Sequence, residues 1–386
     1  MSLIYYITIG FLGLFFILES KFKVIEVENS ISARKKYIII NWGIGIIVLI
    51  LLAANRTGYD SKAYQRFFSF ITVFGQSLND YTYIFFGYLV YFVRNIFPTI
   101  TYFEFQALIC GILGYVAIKR LMPYILSLRI VLFLYLISGT IALDGLQFKN
   151  FIAVLFLLIA FPCLLQQNKK LKNTVEYTLL IIIASMFHFS FIIYCFFVLF
   201  IWIDNVKMEN ILKKMVVIGV VTFWVLFLFS NFLPGILASI SKISILRKLS
   251  NYAAQFSGKR AIVPMVIYLF QIGVMYFCKK KNYLYPQKIK KFVDIVWLVN
   301  LELALLLPAL LYANAAFRLF RNLYLVNFIV YSNFIVRLPR LSYKRIVVSI
   351  VVLILGLFIM VYPNILLNQK IDIIEGMLNG KFFLIR

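Results

Sequence analysis

YTYIFFGYLVYFVRNIF, residues 81–97, has the length of a membrane span but reads as a segment that does not cross. Crossing ~30 Å of hydrocarbon takes roughly 17–25 apolar residues. Clear runs of that kind lie at 3–18, 37–54, 102–118, 130–146, 149–165, 213–233, 261–278, 292–312, 317–336 and 346–363. Segments 19–36, 119–129, 166–176, 204–214, 279–291 and 337–345 between them hold 24 of the 39 basic residues. Short, basic loops recurring between spans mark the cytoplasmic side. With those six inside, residues 56–80 face outside, and an odd number of crossings must separate them from the basic segment 119–129. Two apolar stretches lie between, so one of them stays on the outer side. The stretch 81–97 is rich in Tyr and carries Gly87, Arg94 and Asn95, a mixture suited to the headgroup level. It is read as an outer juxtamembrane or re-entrant helix.

Working outward, the composition agrees with a membrane protein. The chain is 63% hydrophobic and 14% charged, too little charge to cover a water-soluble surface. The net charge of +25 invites a nucleic-acid reading, but its concentration in short loops assigns it to orientation instead. The first run lacks a basic n-region and a small-residue cleavage site, so it is expected to stay as a span. The expected fold is all-α: a polytopic transmembrane helical bundle of about 12 membrane segments forming one integral domain over residues 1–386. The four cysteines, Cys110, Cys163, Cys195 and Cys278, form no CxxC pair and read as packing residues.

A second irregularity lies at 177–203. Both flanks look cytoplasmic, yet the stretch between is short for two full spans. A short helical hairpin fits, turning near Phe187-His188-Phe189-Ser190. Non-helical backbone at membrane depth needs a cover of protein or a wet cavity. His188, the only histidine, thereby becomes a cavity-lining candidate, against the plainer reading of a hydrogen-bonded core residue.

Polar residues in such a chain are the informative ones, because an ionisable group at depth costs at least ~2.5–3.5 kcal/mol. RTGYDSKAYQRFF, residues 56–68, is the densest polar island. Asp60 is a candidate base for deprotonating a hydroxyl. Arg56 and Tyr64 lie four residues to either side, sharing its face if the segment is helical; the competing reading makes Asp60 a helix N-cap. Arg66 follows close behind. Asp144 and Lys149 sit at the next outer turn. Arg318 and Arg321, at i and i+3, present two guanidiniums suited to a diphosphate, or else an ion pair to Glu302. Arg247 and Lys248 lie in a basic stretch, 242–260, on the side where positive charge is scarce. It suits a polyanionic partner, or an interfacial helix on anionic lipid. No metal site is expected from one histidine without neighbouring ligands, and no nucleotide-binding motif is present.

In order and spacing these motifs resemble the EpsG-like family, grouped with the Wzy-type O-antigen, capsule and exopolysaccharide polymerases. The resemblance rests on Arg56, Gly58, Asp60 and Tyr64; on Lys149-Asn150-Phe151-Ile152-Ala153, where the family has Arg-Gln; on Phe187, His188 and Ser190; and on Arg318 to Tyr324. It covers roughly residues 37–336, which would form the catalytic core between a first span with its basic loop (1–36) and a last span with its tail (337–386). The layout is also similar to the GT-C class of membrane glycosyltransferases, which have an acidic residue in the first large outer loop followed by juxtamembrane helices. The resemblance implies joining of undecaprenyl-diphosphate-linked oligosaccharide repeat units at the outer face of the bacterial cytoplasmic membrane. Asp60 would act as base. Arg318, Arg321 and Lys149 would hold the departing diphosphate, and His188 and Ser190 would orient a phosphate or sugar hydroxyl. No cofactor is implied, since the lipid diphosphate bond stores the energy. Expected partners are the lipid-linked donor and acceptor, membrane lipid, a chain-length regulator and a flippase. A lipid-linked oligosaccharide flippase or other transporter is the rival reading.

Overall fold

The computed structural model describes residues 59–70, 84–165, 169–203, 205–228, 261–281, 285–312, 316–339 and 342–365, with isolated positions among 10–48. Every regular element among them is helical. Five helices are long and apolar enough to cross a membrane: Tyr102–Tyr124, Phe148–Leu165, Val206–Leu228, Ile262–Lys280 and Phe317–Arg337. The runs expected at 3–18 and 37–54 lie almost wholly outside the described residues. Exposed apolar stripes, such as Ile211, Ile218, Val221, Trp224 and Val225 on one helix, face outward as they do against lipid. The chain is a multi-pass membrane protein. It divides into two compact units, Met1–Ile201 with Tyr331–Arg386, and Trp202–Val330.

In the first unit, α1 (Tyr59–Phe70) and α2 (Ile84–Ile96) are short. The 13 residues of α2 rise only about 20 Å, short of the hydrocarbon thickness. α3 (Tyr102–Leu121) opens on a capping box in which Thr101 and Glu104 satisfy each other's backbone N–H groups. It closes with Lys119 and Arg120 on its negative end. The run 130–146 is not one span. It breaks into α4 (Leu128–Ile137) and α5 (Thr140–Leu146) at Gly139, whose φ of 65° is open to glycine at little cost. α6 (Phe148–Ala160) continues as a 3₁₀ turn through Leu165, and 94% of that span is buried, making it the axis of the unit.

Ring contacts fix the helix directions. Phe148 at the start of α6 packs on Tyr102 and Phe105 at the start of α3, while Arg120 at the end of α3 reaches Cys163. The two helices are therefore parallel. α7 (Lys170–Phe187) runs back along them, tied by Arg120 to Glu176 at 2.6 Å. After His188 the chain returns as a 3₁₀ helix, Phe189–Val198, and a last turn α8 (Leu199–Trp202), with the Tyr177 hydroxyl donating to the Tyr194 carbonyl at 2.8 Å. A hairpin is present, but its arms are not as short as the sequence suggests. The first begins at Lys170, absorbing residues expected in a loop, and rises about 27 Å. The second gains length from its tighter winding, about 2 Å per residue over ten residues. At the opposite end from His188, Asn333 and Ser332 satisfy the α3–α4 turn. The Asn333 amide accepts from Leu126 N–H and donates to the Tyr124 carbonyl, both at 2.8 Å, and Ser332 donates to the Ser127 carbonyl. α15 (Tyr343–Ile365), the last described helix, packs Gly356 against Ile137 and Ser138.

The second unit contains α9 (Asn205–Leu228), α10 (Ile262–Lys280), α11 (Gln287–Glu302), the short α12 (Ala309–Tyr312) and α13 (Phe317–Arg321), and the first half of α14 (Tyr324–Arg337). α9 begins eight residues before the apolar run at 213–233, so Lys207, Lys213 and Lys214 ride on the helix. Glu209 pairs with Lys213 at 2.8 Å and with Lys279 at the far end of α10, which sets the two helices antiparallel. A buried amide triad links α10, α11 and α14. Gln271 and Asn327 both donate to the Asn300 side-chain oxygen, at 3.0 and 3.1 Å, and Asn300 returns a bond to Asn327 at 2.8 Å. Such interhelical amide bonds hold helices together where no hydrophobic effect does.

The tightest approach in this unit is at Gly219. A Cβ there would sit 2.4 Å from the Ala304 carbonyl oxygen, on backbone that cannot swing away. Gly219→Ala is expected to cost about 1–3 kcal/mol by overpacking and to lower the yield of monodisperse protein. Size-exclusion profiles and melting curves in detergent check this.

Candidate active site

α1 brings Tyr64 inward. Tyr64 and Phe68 are buried one turn apart, with Tyr64 against Phe86 of α2 at 5.6 Å and Phe68 against Tyr102 and Phe105 of α3 at 5.8 and 5.3 Å. Asp60 lies on the same helix, four residues before Tyr64. Arg66 is exposed and lies about 200° round the helix from Tyr64, away from the buried face. The sequence groups Arg66 with Tyr64; the helix separates them. Arg56 lies outside the described residues. α1 is anchored at its C-terminal end by Arg94, whose guanidinium donates to the Phe68 carbonyl at 2.9 Å and the Ser69 carbonyl at 3.4 Å. A cation on those last carbonyls answers the negative end of the helix. In sequence, Arg94 reads as a headgroup residue, because the helix end it caps lies 26 residues earlier.

Lys149 enters from the first turn of α6. It is buried, and its ammonium sits 5.9 Å from the centre of the Tyr64 ring, a cation–π approach joining two motifs that lie 85 residues apart in sequence. Five residues earlier in sequence, Asp144 of α5 is 3% exposed and accepts a hydrogen bond from the Tyr135 hydroxyl of α4 at 2.8 Å. That bond spans the Gly139 break: the turn in the chain lets α4 and α5 face each other. Ser138 and Thr140 close the turn with a 2.7 Å hydroxyl contact. Gln106 of α3 is fully buried and donates to the Gly145 carbonyl at 3.1 Å, fixing the backbone next to Asp144. Tyr102, Tyr135 and Gln106 escape sequence reasoning, since no charge marks them. The one usable sign is the i, i+4 stripe Tyr102, Gln106, Cys110 on an apolar helix.

His188 ends α7 in an extended conformation, φ −147° and ψ 105°, and its Nδ1 lies 2.7 Å from the Ser190 hydroxyl oxygen. Both residues of the motif therefore act as one polar pair at the hairpin turn. Phe187 packs on Phe85 of α2 and on Phe156 of α6, both at 5.9 Å. Phe156 is about two turns along α6 from Lys149, so the hairpin turns below the start of that helix.

In the second unit, Arg318 is partly buried and Arg321 is 5% exposed. They begin the span Phe317–Arg337, which matches the run expected at 317–336, and a turn at Asn322-Leu323 follows their five-residue first helix. The alternative role for the pair, neutralising Glu302, is not realised: among the described residues no ion pair joins Glu302 to either arginine. Arg247 and Lys248 lie outside the described residues. No group of three or more His, Cys, Asp or Glu side chains suited to a metal is present among the described residues.

The buried Tyr64, Lys149 and Asp144 with the His188–Ser190 turn place hydroxyl, cation, carboxylate and imidazole in one unit, away from its Arg120–Glu176 end. No curated protein and no solved structure matches the chain. The family model described as EpsG family matches residues 39–367, a stretch that holds every motif named above. The chain belongs to the EpsG family, membrane proteins of the polysaccharide-polymerase type.

Proposed function

We propose that the protein is a membrane glycosyltransferase that joins undecaprenyl-diphosphate-linked oligosaccharide repeat units at the outer face of the bacterial cytoplasmic membrane. The observation that supports this most is the meeting of Lys149 with Tyr64, on the same helix as Asp60, inside a family match that covers most of the chain. In the reaction the bond between the growing glycan's anomeric carbon and its diphosphate oxygen breaks. A bond forms to a hydroxyl oxygen of the next lipid-linked unit. Asp60 takes the hydroxyl proton, and the lipid diphosphate leaves with the electron pair of the broken bond. Arg318 and Arg321 neutralise the charge on that diphosphate, the electrostatic task that weighs most in sites of limited water access, and Lys149 is a further cation for a substrate phosphate. His188 and Ser190 orient a phosphate or sugar hydroxyl. Arg56, Tyr64, Arg247 and Lys248 make further substrate contacts, and Arg66, on the other side of α1, is left out of them. A chain-length regulator and a flippase serve as partners.

A transporter of the same lipid-linked units is the competing reading. The α4–α5 break and the His188 turn are the interrupted helices such proteins also use. Purified protein given one lipid-linked repeat unit without nucleotide is expected to yield a ladder of longer lipid-linked chains. Unchanged chain length with active protein removes the polymerase assignment.

A further inference from the structure

Two buried polar atoms beside the candidate site have no partner among the described residues: the Tyr102 hydroxyl and the Gln106 side-chain oxygen. Tyr102 is 3% exposed and Gln106 is 0% exposed. They lie one turn apart on α3, and the other end of the Gln106 amide is already committed to the Gly145 carbonyl. Leaving such groups unpaired costs stability, so each calls for a reason. Their surroundings are aromatic. Phe68 of α1, Phe105 of α3 and Phe148 of α6 all pack on the Tyr102 ring, at 5.8, 6.5 and 6.3 Å. Neighbouring polar groups within aromatic walls suit a ligand with apolar C–H faces and projecting hydroxyls.

We infer that Tyr102 and Gln106 form a sugar subsite, in which the Gln106 oxygen accepts from one hydroxyl of a repeat-unit sugar and the Tyr102 hydroxyl bonds a second. The inference rests on the glycan-joining reading above and adds to it two residues that hold the sugar rather than the diphosphate. α1 covers Tyr102 through Phe68, so the sugar reaches that hydroxyl when α1 shifts. The tie that resists the shift is the Arg94 bond to the α1 carbonyls. A lone bridging water is the competing occupant.

Melting curves of the protein in lipid nanodiscs separate these occupants, using bare undecaprenyl diphosphate and the undecaprenyl-diphosphate-linked repeat unit as probes. Without ligand, Tyr102→Phe should melt at or above the wild-type temperature, because an unpaired buried hydroxyl has been removed. The repeat-unit lipid should stabilise the wild type more than the bare lipid does. That extra stabilisation should shrink in Tyr102→Phe and in Gln106→Met, with half-saturation rising about tenfold for a lost hydrogen bond. A wild type that binds the repeat unit in this way but makes no polymer supports the subsite and removes the polymerase reading. Equal extra stabilisation in wild type and both variants, or none in the wild type, overturns the subsite. A lower melting temperature of Tyr102→Phe without ligand also overturns it, since the hydroxyl would then serve the fold or a bridging water.

Discussion

Asp60→Asn should lower the rate of polymer formation by about 10²–10⁴-fold at unchanged protein level, the span associated with loss of a general base. The amide keeps the shape of the carboxylate and the register with Tyr64, but it cannot accept the hydroxyl proton. Its effect should therefore fall on turnover, with half-saturation by lipid-linked substrate little changed. Asp60→Glu should recover part of the rate, since the longer arm still carries a base. A rate within threefold of wild type for Asp60→Asn would remove Asp60 from the reaction.

The second large effect concerns Arg318 and Arg321. Replacing both with Lys is expected to cost about 10²–10³-fold in rate, comparable to removing an oriented donor from a charge-stabilising site. Net charge is unchanged, so the loss would report the forked geometry of the guanidinium, which a point-charge ammonium lacks. Had the pair served to neutralise Glu302, Lys would have sufficed. The absence of an ion pair between them among the described residues makes that outcome unexpected. Protein level and chain length are read in parallel. Wild-type chain length for the double variant removes both arginines from the reaction.

How much of this was legible in the sequence follows from what each feature depends on. Helical class depends on local apolar runs, and so do the five spans that match the runs at 102–118, 149–165, 213–233, 261–278 and 317–336; these are visible. The hairpin at His188 was legible because its basic flanks conflict with its length. Its true arm lengths were not, because nothing local to FSFIIYCFFV announces 3₁₀ winding, which stretches ten residues to about 20 Å. The break at Gly139 was hidden in an apolar run, and with it the Tyr135–Asp144 bond that exists only because the chain bends there. Charged candidates such as Lys149 stood out, since charge at depth is costly. Arg66 stood out for the same reason, and only the helical phase of α1 sets it apart. Neutral partners did not. Gln106 and the Gln271–Asn300–Asn327 triad acquire meaning only when several helices come together.

Counting the lipid diphosphate set free against the glycosidic bonds formed tests the central claim most directly. Protein in liposomes receives one lipid-linked repeat unit and no nucleotide. One undecaprenyl diphosphate is expected per new bond, with both lost together in Asp60→Asn. Intact repeat units appearing on the opposite leaflet, with no chain growth and no diphosphate released, would contradict it.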